Sequence, residues 1–549
     1  MANTNRLANM WQPAALNSDE PLLWSVGSGK DLWAMICAAA TGDINTLQSL
    51  LDKDPALIRS HYDYRNAILF AVQENQVEAV RFLLSHGANP ISSGTNDTLL
   101  NIATDRGYTE IQLLLETAIA GDGGVTEGGN IIAETIRSRD IAAVKKLLDE
   151  QPLLVHAKDT NSNQPIHWAV MTRQPEMIDE LLARGADINA RRADGARPVQ
   201  LVNGDYSYRG WTKDFPVTPR QVLDHLRERG AYIDICTACA IGDIDRVRQL
   251  LDEDATLANK VSDYVTYYIG SGAPIKNAAA RGHIEIVKLL LERGADPNLP
   301  EEHIAPRGHA LHSAVVNGHI EVVKLLLQHG AYPNVPIESS ADTLSAAIAR
   351  DDKPMIELLC SHGAARGVNL LAYYGDLREG AAVFAANPAL ANDAYALECA
   401  ATEGHEPFVR LMLKYHPTLA KEVAVGVRSA GPDRSIKTRA IVEILFNHGM
   451  NANYIDWLGI RPMHRFAQRG DIENATIFLE HGADINAVDG EICTTPLGWA
   501  AKYGKKEMVM FLLKEGAKAN AEGVPAWATP LQWAIRRGHT EIAELLETI

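Results

Sequence analysis

One phrase, written many times over, limits what this chain can fold into. "KNAAARGHIEIVKLLLERGADPN" runs from Lys276 to Asn298, and thirty-six residues later "HSAVVNGHIEVVKLLLQHGAYPN" runs from His312 to Asn334. Ala278, Ala279 and Ala280 are small, strong helix formers. Gly282 can take a positive φ and stop a helix. Ile284, Val287, Leu290 and Leu291 then fall at i, i+3, i+6 and i+7, the stripe of an amphipathic helix. Gly294 ends it, and Asp296, Pro297 and Asn298 are turn formers. The phrase predicts a thin helix, a tight turn, a thicker apolar helix and a loop.

One such hairpin cannot bury its apolar faces alone, so a period of this length signals a stacked solenoid. Sixteen turns are legible between Gly42 and Gly538, on average 33 residues apart. Most are Gly; Asn75, Arg139, Arg173, Val217, Asp352 and Lys437 stand at the others. Numbered by these turns, the units are 1 to 16. The best copies are "QPIHWAVMTRQPEMIDELLARGADIN" (Gln164–Asn189), "TPLGWAAKYGKKEMVMFLLKEGAKAN" (Thr495–Asn520) and "TPLQWAIRRGHTEIAELLE" (Thr529–Glu547). This phrase resembles the ankyrin repeat. The resemblance covers roughly residues 30 to 549 and weakens between Ala341 and Lys437, where the period shrinks. It implies an all-α solenoid, a curved superhelix of stacked helix-turn-helix units with loops or short hairpins between them. Residues 1–30 read as an N-terminal cap or tail, with Trp11, Trp24 and Trp33 able to seal the open end, and 31–549 as the array. Helices pack roughly 8–10 Å apart, so sixteen units are expected to extend to on the order of 150 Å.

A second rhythm overlies the first. "GDINTLQSLLDKDPAL" (Gly42–Leu57) returns in related form at Arg139, Gly242 and Gly375, which reads as block duplication.

The chain has 549 residues, a formal net charge of −17 and a pI near 5.5. Nucleic-acid binders need a basic footprint, and an anionic membrane surface attracts basic segments; neither partner is expected. A neutral or basic protein partner suits the charge. No apolar stretch approaches the ~20 residues that span a bilayer. The start, "MANTNRLANMWQPAALNSDE", has no secretory apolar region, and six cysteines are few for this length. With Met1 as the native start, the expectation is a cytoplasmic protein.

Solenoids bind on the concave side, where the first helices and the loop fingers lie, and insertions map to loops on one face. Three insertions break the period: 203–217, 262–272 and 300–309. They supply the candidate binding residues Asp205, Tyr206, Tyr208, Arg209, Trp211, Asp263, Tyr264, Tyr267, Tyr268, Glu302, His303 and His309, with Lys276 directly after the second. "HYDYR" adds Tyr62, Tyr64 and Arg65 near the start. Tyr, Trp and Arg dominate binding hot spots, yet the same aromatics can plug gaps left by irregular stacking. The ankyrin resemblance implies a non-catalytic interaction scaffold that takes a protein or peptide on its concave groove. The alternative is a protein that binds a small ligand or glycan, or hydrolyses one, in a pocket between 203–217 and 262–272.

Several residues suggest chemistry. His167, His312 and His464 stand at the His of the Thr-Pro-Leu-His element, whose family role is to tie neighbouring turns; Lys276, Gln200, Gly498 and Gln532 depart from it. Trp168, Trp499 and Trp533 occupy the next position and read as packing between units. Cys236 and Cys239 form a lone C-x-x-C, short of the four ligands of a structural zinc. Glu301, Glu302, His303, His309 and His312 suit zinc by type but match no site spacing. Asp205, Asp263, Glu301 and Glu302 offer the paired carboxylates that glycoside hydrolysis needs. No nucleophile-elbow, P-loop, dinucleotide or His-Glu-x-x-His motif stands in a proper context. No cofactor and no metal is expected.

Overall fold

The structure, a computed structural model, describes residues 10–91, 97–123, 126–159, 162–203, 215–264, 268–301, 305, 308–334, 337, 342–423 and 439–549, with the backbone alone for 120–123. Helix pairs run through them, with one two-stranded hairpin among the described residues, His61–Tyr62 against Arg65–Asn66. The fold is an all-α repeat solenoid. No helix among the described residues is long and apolar enough to cross a membrane.

The unit around Gly282 shows how the phrase folds. Its thin helix is Pro274–Ala280 and its thick helix Ile284–Glu292. Ala278, Ala279, Val287 and Leu290 are fully buried. Gly282 has φ +71°, and a Cβ there would lie 2.6 Å from Nδ1 of His319 in the next unit. Asn75, Arg139, Arg173 and Asp351 hold the same positive φ in units without glycine. The tenth turn is thus Asp351, one residue before the expected Asp352. Asp352 is displaced because Asp is a strong helix cap: it accepts from Met355 N at 3.2 Å and opens the helix Lys353–Ser361.

The second rhythm also has a physical meaning. In all four copies the thick helix runs straight into a one-turn 3-10 helix: Pro55–Arg59, Pro152–His156, Ala255–Asn259 and Pro388–Ala391. An aspartate caps the thick helix each time, for example Asp43 on Thr46 N at 3.1 Å and Asp243 on Arg246 N at 3.1 Å.

Recurrent hydrogen bonds hold successive units in register. The residue after the turn reaches back to the preceding thin helix: Gln76 Nε2 donates to Ala40 O (3.1 Å), Gln174 Nε2 to Ile136 O (2.8 Å) and His405 Nε2 to Tyr373 O (2.9 Å). The loop asparagine reaches forward. Asn298 Nδ2 donates to Gly330 O at 2.8 Å while its Oδ1 accepts from Tyr332 N at 2.8 Å, and Asn259, Asn334 and Asn453 do the same one unit apart.

The element histidines add a third set. His167 Nδ1 accepts from Gln164 N (3.0 Å) and Nε2 donates to Ala190 O (3.1 Å); His464 pairs likewise with Arg461 N and Ala487 O. Gln200 keeps the pattern, accepting from Arg197 N at 2.6 Å and donating to Asp234 at 2.7 Å. At Gly498 the neighbouring Thr494 hydroxyl fills the gap and donates to Ala528 O at 2.6 Å. His312 does not follow. Its helix starts a residue early, at His309, so His312 sits one place past the capping position and its buried Nδ1 has no partner among the described residues.

Three apolar cores result. One joins units 4 to 10, from Ile132 to Leu359. A second joins units 1 to 3, from Met35 to Leu115. The third joins units 11 to 16, from Leu371 to Leu546, and takes in Met10, Leu16, Leu32, Ile36, Ala40 and Phe70 from the far end of the chain. The helix Gly29–Thr41 carries two buried stripes, Leu32, Ile36 and Ala40 on one and Met35 and Ala39 on the other. Unit 2 covers one side, and the short 3-10 helix Ala14–Asn17 of the N-terminal segment, with the buried Leu16, covers the other. Phe70 of unit 2 reaches on to Trp457 before unit 14, so the array closes end to end instead of extending as an open superhelix. Trp11, expected to seal an open end, donates its Nε1–H to Ile455 O at 3.0 Å, on the loop of unit 14.

Candidate functional site

The end-to-end contact has an apolar part and a polar part. In the apolar part, Trp457 meets Tyr62 edge-on at 5.4 Å and Phe70 at 6.1 Å. In the polar part, the inner helix Leu99–Arg106 of unit 3 faces the inner helices Pro496–Lys502 and Pro530–Arg536 of units 15 and 16. Arg537 binds Asp105 at 2.6 Å and Asp97 at 3.2 Å. Lys502, buried, pairs with Asp97. Arg536 Nη1 donates to Asp105 O at 2.9 Å, and Arg106 Nη2 to Glu491 O at 2.6 Å. Three cations stand over the face of Trp533, Lys502 at 4.5 Å, Arg536 at 4.6 Å and Arg537 at 5.4 Å. Burying a charge is costly without a partner, and here carboxylates from one end of the chain meet cations from the other.

This contact absorbs part of the first candidate group. Arg65 is buried, 3.5 Å from Glu491 and over the Trp457 ring at 6.0 Å, and Tyr62 packs on the same indole. Tyr64 sits at the hairpin tip with φ +60°, exposed and stacked on His61 at 5.9 Å.

The second insertion packs on its own neighbours. Tyr264 is 2% exposed, 3.2 Å from the Thr237 hydroxyl, and Tyr268 is buried under Arg192 with its hydroxyl donating to Asp194 at 3.0 Å. Both rings fill the gap between units 6 and 7, so neither presents a face to a partner. Lys276 donates to Ser271 O at 3.0 Å within the same insertion. His309 lies 3.4 Å from the buried Glu301 carboxylate. Asp263 stays exposed and pairs with Arg191 at 2.8 Å. Asp205, Tyr206, Tyr208, Arg209, Trp211, Tyr267, Glu302 and His303 lie outside the described residues. The described end of the first insertion, Phe215, lies over the turns of units 4 and 5, with Arg139 at 5.0 Å and Arg173 at 5.5 Å.

An open cleft of ≈140 Å³ lies between the second insertion and the loop of unit 5. Arg191, Arg197, Lys260, Asp234, Asp263 and Tyr232 line it. Burial pushes the thiols of Cys236 and Cys239 well above their usual range, so both behave as core thiols. Among the described residues no group of three or more His, Cys, Asp or Glu is placed to hold a metal.

Sequence reasoning passed over a further surface. The two positions before each turn carry Lys502 and Arg536–Arg537 in units 15 and 16, where they meet the other end of the chain. In units 9 to 11 the same positions carry Val316, Arg350 and Tyr373–Tyr374. These face solvent: Val316 is 42% exposed, Tyr373 43% and Tyr374 53%, the two tyrosine rings meeting edge-on at 5.2 Å. The doublets "YYG" and "RRG" before a turn were the available signal.

Stacked helix hairpins tied by loop asparagines and turn-crossing histidines define a helical repeat protein. Comparison of the sequence with known families makes this specific. Ankyrin-repeat descriptions match residues 34–122, 235–337 and 490–548 in a three-copy form, 463–513 in a many-copy form and 161–193 as a single repeat. The chain belongs to the ankyrin repeat family, whose arrays are generally modules of protein interaction. Among curated proteins it is similar to human transient receptor potential cation channel subfamily A member 1, with 32% identity over 196 residues, 32% of this chain and 17% of that one. It is 39% identical over 72 residues to the serine/threonine-protein kinase VIK of Arabidopsis thaliana, 12% of this chain and 16% of the kinase. It is 36% identical over 87 residues to human NAD-capped RNA hydrolase NUDT12, 16% of this chain and 19% of the hydrolase. The chain thus spans less than a fifth of each of these relatives.

Proposed function

We propose that the protein is a non-catalytic interaction scaffold that takes a protein or peptide partner along the inner face of its middle units. The observation that carries this reading is the exposed Tyr373–Tyr374 pair, set beside Val316 and Arg350 on thin helices whose counterparts at the far end are already covered by this chain. Exposed tyrosines with a neighbouring arginine are the residue types that anchor interfaces. The net charge of −17 steers neutral or basic partners toward this face. The chain as a whole is read as one array from 31 to 549 with its N-terminal segment folded onto unit 14.

The alternative, a small-ligand or glycan site, rests on the cleft beside Asp263. At ≈140 Å³ it is smaller than the roughly 300–1,000 Å³ of pockets that enclose a drug-sized ligand. Its carboxylates are engaged, Asp263 by Arg191 and Asp234 by Gln200, and Asp234 also caps Thr237 N at 2.7 Å. A cleft of this size suits one side chain of a bound peptide.

The test is affinity capture from the source organism's lysate with wild type, the Tyr373→Ala/Tyr374→Ala variant and an Arg191→Ala/Tyr232→Ala variant. A protein held by wild type and lost by the first variant supports the reading. Loss by the second variant alone moves the site to the cleft. No protein held by any of the three refutes the scaffold.

A further inference from the structure

Three tryptophans stand at one position of the repeat, and one of them lacks what the others have. Trp168 Nε1 donates to Asp159 at 2.6 Å, and Trp499 Nε1 donates to Asp489 at 3.0 Å. Each acceptor is a loop aspartate nine or ten residues upstream. In unit 16 the corresponding loop reads "EGVPAWATP" and has no aspartate. Trp533 is buried, and its Nε1 has no acceptor among the described residues. A buried N–H without an acceptor is costly, by about 1–3 kcal/mol.

Around this indole, three cations crowd its face, and it lines an internal space of ≈10 Å³ together with Asp97, Asp105 and Trp527. Asp97 and Asp105 bind Lys502 and Arg537, yet neither reaches the indole N–H. A third carboxylate, Glu491, lines the same space and faces Arg65 at 3.5 Å, and it too leaves the indole N–H without an acceptor. The way the contact is divided lets it part here. The apolar seal is made by Phe70 and Tyr62 with Trp457, while units 3 and 16 meet through ion pairs. Buried ion pairs add little net stability but fix register. An acidic segment in the place of Asp97 and Asp105 would conserve the pairs, and a further carboxylate on it would give Trp533 the acceptor that it lacks.

We propose that the inner face of units 15 and 16, made by Lys502, Arg536, Arg537 and Trp533, is a docking groove for an acidic segment of a partner protein, and that Asp97 and Asp105 occupy it as a tethered competitor. This groove lies on other units than Tyr373–Tyr374, units 15 and 16 against unit 11, so either surface stands without the other.

The experiment uses the full chain and a fluorescein-labelled peptide copying residues 97–108, DTLLNIATDRGY. Fluorescence anisotropy compares wild type with the Asp97→Asn/Asp105→Asn variant. The variant is expected to bind at least ~10-fold tighter, a gain lost when Lys502→Met and Arg537→Met are added, and lost with a peptide carrying Asn for Asp. Equal affinity for wild type and variant, or binding that survives removal of the two cations, overturns the proposal. So does full displacement by free succinate at the peptide's own concentration, which marks a small-carboxylate site. Should the Asn variant not fold, hydrogen exchange on wild type decides: saturating peptide is expected to deprotect Leu99–Arg106, and unchanged protection there overturns the proposal.

Discussion

Phe70→Ala tests the closure most directly. Phe70 lies on the thin helix Ala67–Gln73 of unit 2, is fully buried, and belongs to the same apolar cluster as Trp457, Phe466 and Trp499. In an open array its ring would face the concave groove, and truncating a half-exposed ring would remove little. In the closed array the full cavity term applies, about 3–5 kcal/mol for a buried Phe→Ala change. Linear repeat arrays couple only neighbours, so an open array confines the damage to units 1 to 3. The closed array transmits it to units 13 to 16. Native-state hydrogen exchange resolved by peptide is the assay. Residues 29–115 and 457–502 should both exchange faster, by roughly 100- to 4,000-fold at 1.4 kcal/mol per decade. Faster exchange restricted to residues 29–123 would refute the reasoning, and a Phe384→Ala control should leave units 1 to 3 unchanged.

Burial raises the carboxyl of Asp456 to about 6, above its usual 3.8, so its ionised form opposes folding above pH 6 and the loss eases as pH falls from 6 toward 3.8. Asp456→Asn should then stabilise the chain by on the order of 2–3 kcal/mol at pH 7.5 and by almost nothing at pH 4, read from urea unfolding. Burial lowers His167 to about 4, so its contribution is complete above pH 6.5 and is lost as pH falls from 6.5 toward 4. His167→Gln, which can make the two bonds Gln200 makes, should keep stability at pH 7.5 and flatten melting temperature against pH between 6.5 and 4.5. Gly282→Ala adds a Cβ 2.6 Å from His319 to the strain of a positive φ, whereas Gly294→Ala, at φ +84°, meets nothing within 4 Å. Thermal unfolding should show the first change costing about 1–2 kcal/mol more than the second.

The repeat was legible because its signals are local. Helix stripes, the turn glycines and the loop asparagines each sit within one 33-residue window, and the bonds of Asn298 or His464 join only adjacent units. Closure was not legible. It depends on Trp11 finding Ile455 and Asp105 finding Arg537, pairs more than four hundred residues apart, and no periodicity reports which distant faces meet. The inserted tyrosines misled for a different reason: Tyr264 and Tyr268 have the composition of a hot spot, but composition does not distinguish a ring that fills a gap from one that faces a partner.

The closure has a consequence for synthesis. Phe70 leaves the ribosome early, and Trp457, the indole that it meets, follows roughly 390 residues later. At about 5–20 residues per second that interval is roughly 20–80 s. During it the nascent chain displays Phe70 and Tyr62 uncovered on units that have already folded. A transient cover, by a chaperone or by another part of the growing chain, becomes a requirement of the sequence, set by where the two ends of one core are encoded.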